Sequence, residues 1–288
     1  MMRTVGLIGV GRMGHGIALN LLKAEFPLVF LDHPGNQPTD DLRALGAMSK
    51  DCAADVAAAC DVIILVVTGA PEVEAVLTGP DGVLEGLRPG ALVVDCSTSL
   101  PETTRAMARR VQEAGGSFLD APMTRTPKEA AQGRLNLIVG GDAALLEAHK
   151  PMLESFAENI VHAGDTGSGH AMKLLHNFVS LGFSVVLIEA AIAARESGVV
   201  TEVFCDVLEQ GGGRGVVLDR LAPAITDGDN SGLNFSIANA AKDMRYFGEM
   251  ARSLGLPADV AQALARYYEQ PTEAGQGELL VPELLALS

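Results

Sequence analysis

Short, almost purely apolar runs recur through the first half of the chain, separated by stretches of helical character. The runs are Thr4–Ile8, Leu28–Leu31, Val62–Val67, Ala91–Val94 and Leu135–Val139, and most are rich in Val, Ile and Leu. Unbroken apolar runs of this length suit strands covered on both faces, as in a parallel sheet with helices on each side. The intervening helical stretches are Gly14–Ala24, Ala53–Ala59, Glu72–Leu77, Thr103–Ala114 and Ala143–Phe156. Strand, helix and strand in succession predict an α/β domain built on a doubly wound parallel sheet.

After Gly164 the strand signal fades. His170–Ser197 reads as one long helix with Gly198 at its C-terminal end. Glu202–Glu209, Val216–Ala224, Ile237–Leu254 and Asp259–Glu269 are further helical stretches, and Gly211-Gly212-Gly213 and Asp227-Gly228-Asp229 read as turns. The expected organisation is an α/β domain over residues 1–164 and an all-α domain over 165–288, joined by the long helix. A length of 288 residues fits two domains. The apolar tract Leu174–Ala194 is interrupted by His176, Asn177 and Glu189 and preceded by Lys173, which favours a buried helix over a membrane span. A helix apolar around much of its circumference suits burial between domains and between subunits, so a homodimer or homotetramer is expected.

Composition excludes several classes. With 21 Lys and Arg against 36 Asp and Glu, the net charge is −15, the wrong sign for a nucleic-acid binder or for attraction to anionic lipid. Cys52, Cys60, Cys96 and Cys205 form no C-x-x-C pair and have no histidine at metal-ligand spacing, so no metal centre is expected. A disulfide framework is not expected in a chain of this size, which points to the cytoplasm. The apolar start at Thr4 is broken too early by Gly6, Gly9, Gly11 and Gly14 to read as a secretory leader.

Gly9-Val10-Gly11-Arg12-Met13-Gly14 is a G-x-G-x-x-G between the first predicted strand and the first predicted helix. In that context it reads as a Rossmann-type dinucleotide loop. Gly9 permits the tight turn, Gly11 lets the backbone approach a pyrophosphate, and Gly14 allows close helix–strand packing. Arg12 and Met13 belong to the same loop and join the expected cofactor contacts. Asp32 ends the second strand, 18 residues after Gly14, where an acid accepts hydrogen bonds from ribose hydroxyls. A 2′-phosphate would be repelled there, and His33-Pro34-Gly35 brings no Arg, so NAD is expected over NADP.

Further motifs span nearly the whole chain. They are Asp95-Cys96-Ser97-Thr98-Ser99-Leu100-Pro101, Asp120-Ala121-Pro122-Met123, Gly167-Ser168-Gly169-His170-Ala171-Met172-Lys173 with Asn177 four residues on, and Phe235 followed by Lys242-Asp243. In this order and spacing the chain resembles the β-hydroxyacid dehydrogenases, of which 3-hydroxyisobutyrate dehydrogenase is typical. The resemblance implies hydride exchange between a nicotinamide and the carbinol carbon of a small, anionic hydroxyacid or its semialdehyde. It makes Lys173 the general acid/base, with Asn177 on the same helix face contacting the substrate oxygen or fixing the lysine. A lysine exchanges protons near neutral pH only when partly desolvated or beside another cation. The resemblance also places Ser97 and Thr98 at the substrate acid group and the carboxamide, Val67 and Thr68 under the nicotinamide, and Lys242 on the cofactor side.

Two departures stand out. The family often has Leu-Pro at Val67-Thr68. Where it usually has Ser-Gly-Gly, this chain has Thr124-Arg125-Thr126. An arginine offers a fork for a carboxylate, sulfonate or phosphate, and the branch acting on sulfolactaldehyde carries a similar Arg-Thr pair. Thr124, Arg125 and Thr126 are therefore expected substrate contacts. In a chain this acidic, Arg125, Lys173 and Lys242 would have to supply the local positive field for an anionic cofactor and substrate. His176 reads either as a substrate contact or as a core histidine, with the core reading favoured, and Arg214 either as a second anion contact or, by preference, as a surface arginine. The alternatives are an NADPH-dependent semialdehyde or imine reductase of the same architecture, against which Lys173 weighs, and a non-catalytic nucleotide-binding relative.

Overall fold

A computed structural model describes residues 3–287. It divides into two compact units, Met1–Lys173 and Leu174–Ser288. The first unit runs β1 (Val5–Ile8), α1 (Gly14–Lys23), β2 (Leu28–Leu31), α2 (Asp40–Ala44), β3 (Met48–Lys50), α3 (Ala53–Ala59), β4 (Val62–Leu65), α4 (Ala70–Thr78), α5 (Val83–Gly86), β5 (Leu92–Asp95), α6 (Pro101–Glu113), β6 (Ser117–Asp120), β7 (Met123–Thr124), α7 (Pro127–Ala131), β8 (Leu135–Gly140), α8 (Ala143–Leu153) and β9 (Ala157–Gly164). The strand order is β3-β2-β1-β4-β5-β6-β8-β7, with β9 on β8.

Side-chain alternation along the strands builds two apolar layers, one on each face of the sheet. Val5 and Leu7 of β1 join Ile17, Phe30, Ile64 and Val94 in one layer. Ile8 joins Val29, Val56, Ile63, Leu65 and Val93 in the other. This explains the unbroken apolar runs, since both faces of each central strand are buried. Prolines start α4 and α6, where the missing N–H costs no helix bond. Asp142 caps α8 by accepting from Leu145 N at 2.8 Å.

The sheet is parallel from β3 through β6, as the sequence suggests. Beyond that it is mixed, because β8 runs antiparallel to both β6 and β7. Strands β3, β6, β7 and β9 escaped the sequence reading. β3 and β9 lie at the sheet's margins and are largely exposed, so neither carries a continuous apolar run.

α9 (Ser168–Glu196) opens at the end of the first unit and continues into the second, where α10 (Thr201–Glu209), α11 (Val216–Asp227), α12 (Ile237–Ser253), α13 (Asp259–Pro271) and α14 (Leu284–Leu287) follow. The sequence reading put the boundary at residues 164 and 165. The units part nine residues later, at 173 and 174, because the first turns of α9 are hydrogen-bonded to β6. The second unit is all-helical and packs around Leu181, Ile188, Leu218, Leu221, Met244 and Tyr268. The Tyr268 hydroxyl donates to the Leu181 carbonyl at 2.9 Å, which satisfies its one polar group inside this core. By length and apolarity α9 would pass as a membrane span. Its buried Asn177 and Ser184, and its place in this core, mark it as a core helix. It is not covered all round, however: Met172, Leu175, Val179 and Val186 are exposed.

α1 lies against α7 at a glycine. A Cβ on Gly16 would sit 2.6 Å from the Ala130 backbone carbon. Beside it, Asn20 Nδ2 donates to the Gly16 and Ala130 carbonyls at 2.8 and 2.9 Å. Gly16→Ala forces the two helices apart, and urea denaturation should report a loss of roughly 1–3 kcal/mol. An unchanged midpoint would show that this contact is soft.

Candidate active site

In the first unit, the candidate residues gather at the carboxyl end of the parallel strands, where α/β sheets bind ligands. Gly9 turns the chain out of β1 with φ +99°, and a Cβ there would meet the Val66 carbonyl at 2.2 Å. A Cβ on Gly14 would lie 1.9 Å from the Gly9 carbonyl oxygen, which forces glycine where α1 leaves the loop. Gly11 is the opposite case: a Cβ there would meet nothing within 4 Å, so its backbone face is open. Met13 provides no side-chain cap for α1. An open, uncapped helix N-terminus behind a glycine turn fits a dinucleotide pyrophosphate. The loop is braced from β2, because Val10 N donates to Asn36 Oδ1 at 3.2 Å while Asn36 Nδ2 donates to the Leu31 carbonyl at 2.9 Å.

Asp32 follows β2, half exposed, with Oδ2 held by Arg43 at 2.9 Å. Val67 and Thr68 follow β4, and Val67 N donates to Ser97 Oγ at 3.0 Å. The loops after β4 and β5 are thereby locked together. Ser97 N in turn donates to Asp95 Oδ1 at 3.0 Å.

Beneath that loop lies a buried polar cluster. Asp120, at the end of β6, accepts from Gly167 N at 2.7 Å and His170 N at 3.0 Å. His170 is fully buried, with Nδ1 2.7 Å from Thr104 Oγ1 and Nε2 donating to the Ser97 carbonyl at 3.1 Å. Its ring lies 3.9 Å from both the Asp95 and the Asp120 carboxylates. Burial pushes the Asp95 carboxyl above the usual carboxylate range, with His170 and the Ser97 hydrogen bonds acting in the opposite sense. Asp95 Oδ2 has no hydrogen-bond partner among the described residues. Lys173 follows one turn after this anchor on α9 and is 6% exposed.

Thr124, Arg125 and Thr126 are held within the first unit. Thr124 Oγ1 accepts from Asn136 Nδ2 at 3.0 Å, and Thr126 forms a capping box with Glu129 at the start of α7. The Arg125 guanidinium is bonded to Glu158 and to the Arg134 carbonyl. These arginines hold the Glu158 carboxyl below its ordinary range. Arg125 has φ +83°, the left-handed region that favours glycine.

In the second unit, Asn177 Nδ2 donates to Asp243 Oδ2 at 2.6 Å, and Lys242 Nζ lies 3.4 Å from Asp243 Oδ1. Asn177, Lys242 and Asp243 thus form one group, all at low exposure. His176 is exposed, not a core histidine, and its Nδ1 lies 2.9 Å from Asn177 Oδ1. Arg214 stands after the glycine turn that follows α10 and is exposed, as a surface arginine would be.

Two family models cover the chain. The NAD binding domain of 6-phosphogluconate dehydrogenase matches residues 4–164, and the NAD-binding domain of NADP-dependent 3-hydroxyisobutyrate dehydrogenase matches residues 167–285. The chain belongs to the β-hydroxyacid dehydrogenase family. It is a nicotinamide-dependent oxidoreductase acting on CH–OH groups. It is 33% identical to an NAD-dependent L-serine dehydrogenase of Pseudomonas aeruginosa, over 92% of this chain and 87% of that one. It is 31% identical to a 2-(hydroxymethyl)glutarate dehydrogenase of Eubacterium barkeri, over 95% and 90%. A Mycobacterium tuberculosis 3-hydroxyisobutyrate dehydrogenase solved with L-serine superposes with a TM-score of 0.90 at 26% identity, covering 100% of this chain and 99% of that one.

Sequence reasoning gave no role to Asn36, Arg43, Thr104, His170 or Asp243. His170 and Asp243 sit inside motifs that had been singled out, so motif position was an available signal. Asn36, Arg43 and Thr104 stand outside every motif, and their contacts with Val10, Asp32 and His170 form only in the folded chain.

Two measurements probe this site. Arg125→Gly and Arg125→Ala both remove the guanidinium, but only Ala keeps the left-handed penalty. The glycine variant should be the more stable by about 1 kcal/mol in chemical denaturation; equal stabilities would show that the loop relaxes. Asp95 has a raised folded pKa, so its contribution to stability is fully present below its unfolded pKa and is lost as pH rises through the folded value. Asp95→Asn keeps an acceptor for Ser97 N and removes that loss. The variant should therefore gain on the wild type as pH rises from 4 to 8; parallel stability curves would remove the buried charge from the account.

Proposed function

We propose that the protein oxidises a small anionic 3-hydroxy acid, or reduces the corresponding semialdehyde, with NAD preferred over NADP and Lys173 as the general acid/base. The observation that carries this reading is the burial of Lys173 one turn beyond a helix start anchored by Asp120. When bound, the cofactor supplies the nicotinamide ring that takes up or gives back hydride. Gly9, Gly11, Arg12, Met13 and Gly14 bind its pyrophosphate, and Asp32 accepts from its adenosine ribose. Val67, Thr68 and Thr98 bind the nicotinamide, with Lys242 on the cofactor side. Ser97 and Thr98 orient the substrate acid. Lys173 Nζ takes the proton from the substrate hydroxyl in oxidation and returns it in reduction, and Asn177, one turn on, orients that oxygen.

The names of the relatives support a hydroxyacid bearing a carboxylate and a short polar arm, such as serine or a hydroxymethyl diacid. Arg125 would favour the more strongly anionic members of that class if Glu158 releases it. The exposed Val179 and Val186 on α9, with Val203 and Val207 on α10, support a homodimer or homotetramer assembled through the helical unit.

A panel of hydroxyacids and semialdehydes followed by NADH absorbance tests the activity. Lys173→Ala should lower kcat by about 10²–10⁴-fold with NAD binding retained in calorimetry; full turnover in that variant would remove the assignment. Val179→Glu with Val186→Glu should lower the mass measured by sedimentation, and a wild type that sediments as a monomer would refute the assembly.

A further inference from the structure

The carboxylate expected to exclude a 2′-phosphate is not alone. Arg43, from α2, reaches back over β2 and donates through NH2 to Asp32 Oδ2 at 2.9 Å. NH1 donates to Ser49 Oγ of β3 at 2.7 Å. The guanidinium carbon stands 5.1 Å from the centre of the Phe30 ring. Contacts from the end of β2, from the residue that follows it and from β3 therefore hold one cation in place. Both side chains are about half exposed, 42% for Arg43 and 51% for Asp32, so a ligand can reach them. Asp32 Oδ1 has no hydrogen-bond partner among the described residues, so it remains open to a ribose hydroxyl. A guanidinium has five N–H donors, and the two bonds described leave others to donate to a phosphate.

We infer that Arg43 is a specificity-determining residue for the cofactor: by pairing with Asp32 it cancels much of the repulsion toward a 2′-phosphate and offers that phosphate a donor fork. The inference rests on the reading of Asp32 as the ribose acid, and it deepens that reading. An isolated carboxylate at this position repels a phosphate over a few ångströms, whereas an ion pair presents no net charge at the same distance. Arginine suits this role better than lysine, since its planar fork can hold a carboxylate and a phosphate and still lie against an aromatic ring. The chain therefore accepts both dinucleotides, with NAD ahead by a narrow margin. It also follows that Asp32, and not a missing arginine, is what keeps NAD ahead.

Calorimetric titration of the full-length protein with NAD and with NADP, without substrate, tests this. The wild type should bind both, with dissociation constants within about tenfold of each other, as expected for a neutralised carboxylate in a partly solvated site. Arg43→Ala should widen the NADP/NAD ratio by on the order of tenfold, chiefly by weakening NADP. Arg43→Gln, which keeps the stem over Phe30, should do the same, and thermal denaturation of both variants guards against misfolding. Asp32→Ala with Arg43 intact should invert the preference to NADP, and the double variant should lose that inversion. A wild type that binds NAD while the ratio stays within twofold in both Arg43 variants overturns the inference and leaves the ribose reading standing. A wild type that binds neither dinucleotide overturns both.

Discussion

The Asp120 carboxylate is the point on which the first unit's chemistry turns. It ends β6, the last strand of the parallel run from β3, and accepts two backbone N–H groups at the start of α9. A buried carboxylate bonded in this way is costly to leave unpaired, so the helix start and the strand end are held in one register. Lys173 is three residues beyond the second of those N–H groups, and its position is inherited from that register. The same helix start carries His170, which grips the Ser97 carbonyl and so ties the loop after β5 to the helix. Three chain segments far apart in sequence thus share one buried polar cluster. Every donor and acceptor in such a cluster restrains the others, which is how a site keeps its geometry without bound ligand.

Charge is managed locally in a molecule whose net charge is −15. Of the cations expected to supply the positive field, Arg125 is already paired, and Arg43, to which no role was assigned, is paired as well. Arg125 is bonded to Glu158 and Arg43 to Asp32. Ion pairs at these exposures contribute little to stability, since water already screens them. Their weight is in selectivity: each fixes where a cation stands and what an incoming anion must displace. Arg125 illustrates a second constraint, because it adopts the left-handed backbone without being glycine. The surrounding turn, with Thr126 capping α7, dictates that conformation more firmly than the side chain resists it.

Most of the first unit's architecture was legible because it depends on local patterns. Strands covered on both faces read as apolar runs, and the glycine loop is legible because sterics leave so few residues able to occupy Gly9 and Gly14. The strands that were missed, β3 and β9 among them, are marginal and polar, so their pairing depends on neighbours rather than on composition. Within the site, the motif residues Asp95, Ser97, Asp120 and Lys173 could be singled out in the chain, but not the bonds among them. His170 looked like a variable position between two motif residues, yet it is fully buried. His176, read as inward, lies outward, because periodicity does not say which side of a long apolar helix the protein covers.

By itself the sequence determined the alternation of strands and helices, the glycine turn, the family, and the lysine on which the proposed chemistry rests. Each follows from residue type at short range, through sterics, periodicity or helix geometry. Tertiary structure alone decided that Asp32 stands with Arg43, that Arg125 is held by Glu158, and that His170 joins the β5 loop to α9. These are contacts between residues 11 to 73 positions apart. Such pairs form only once the sheet has set its strands side by side, and no local pattern encodes them.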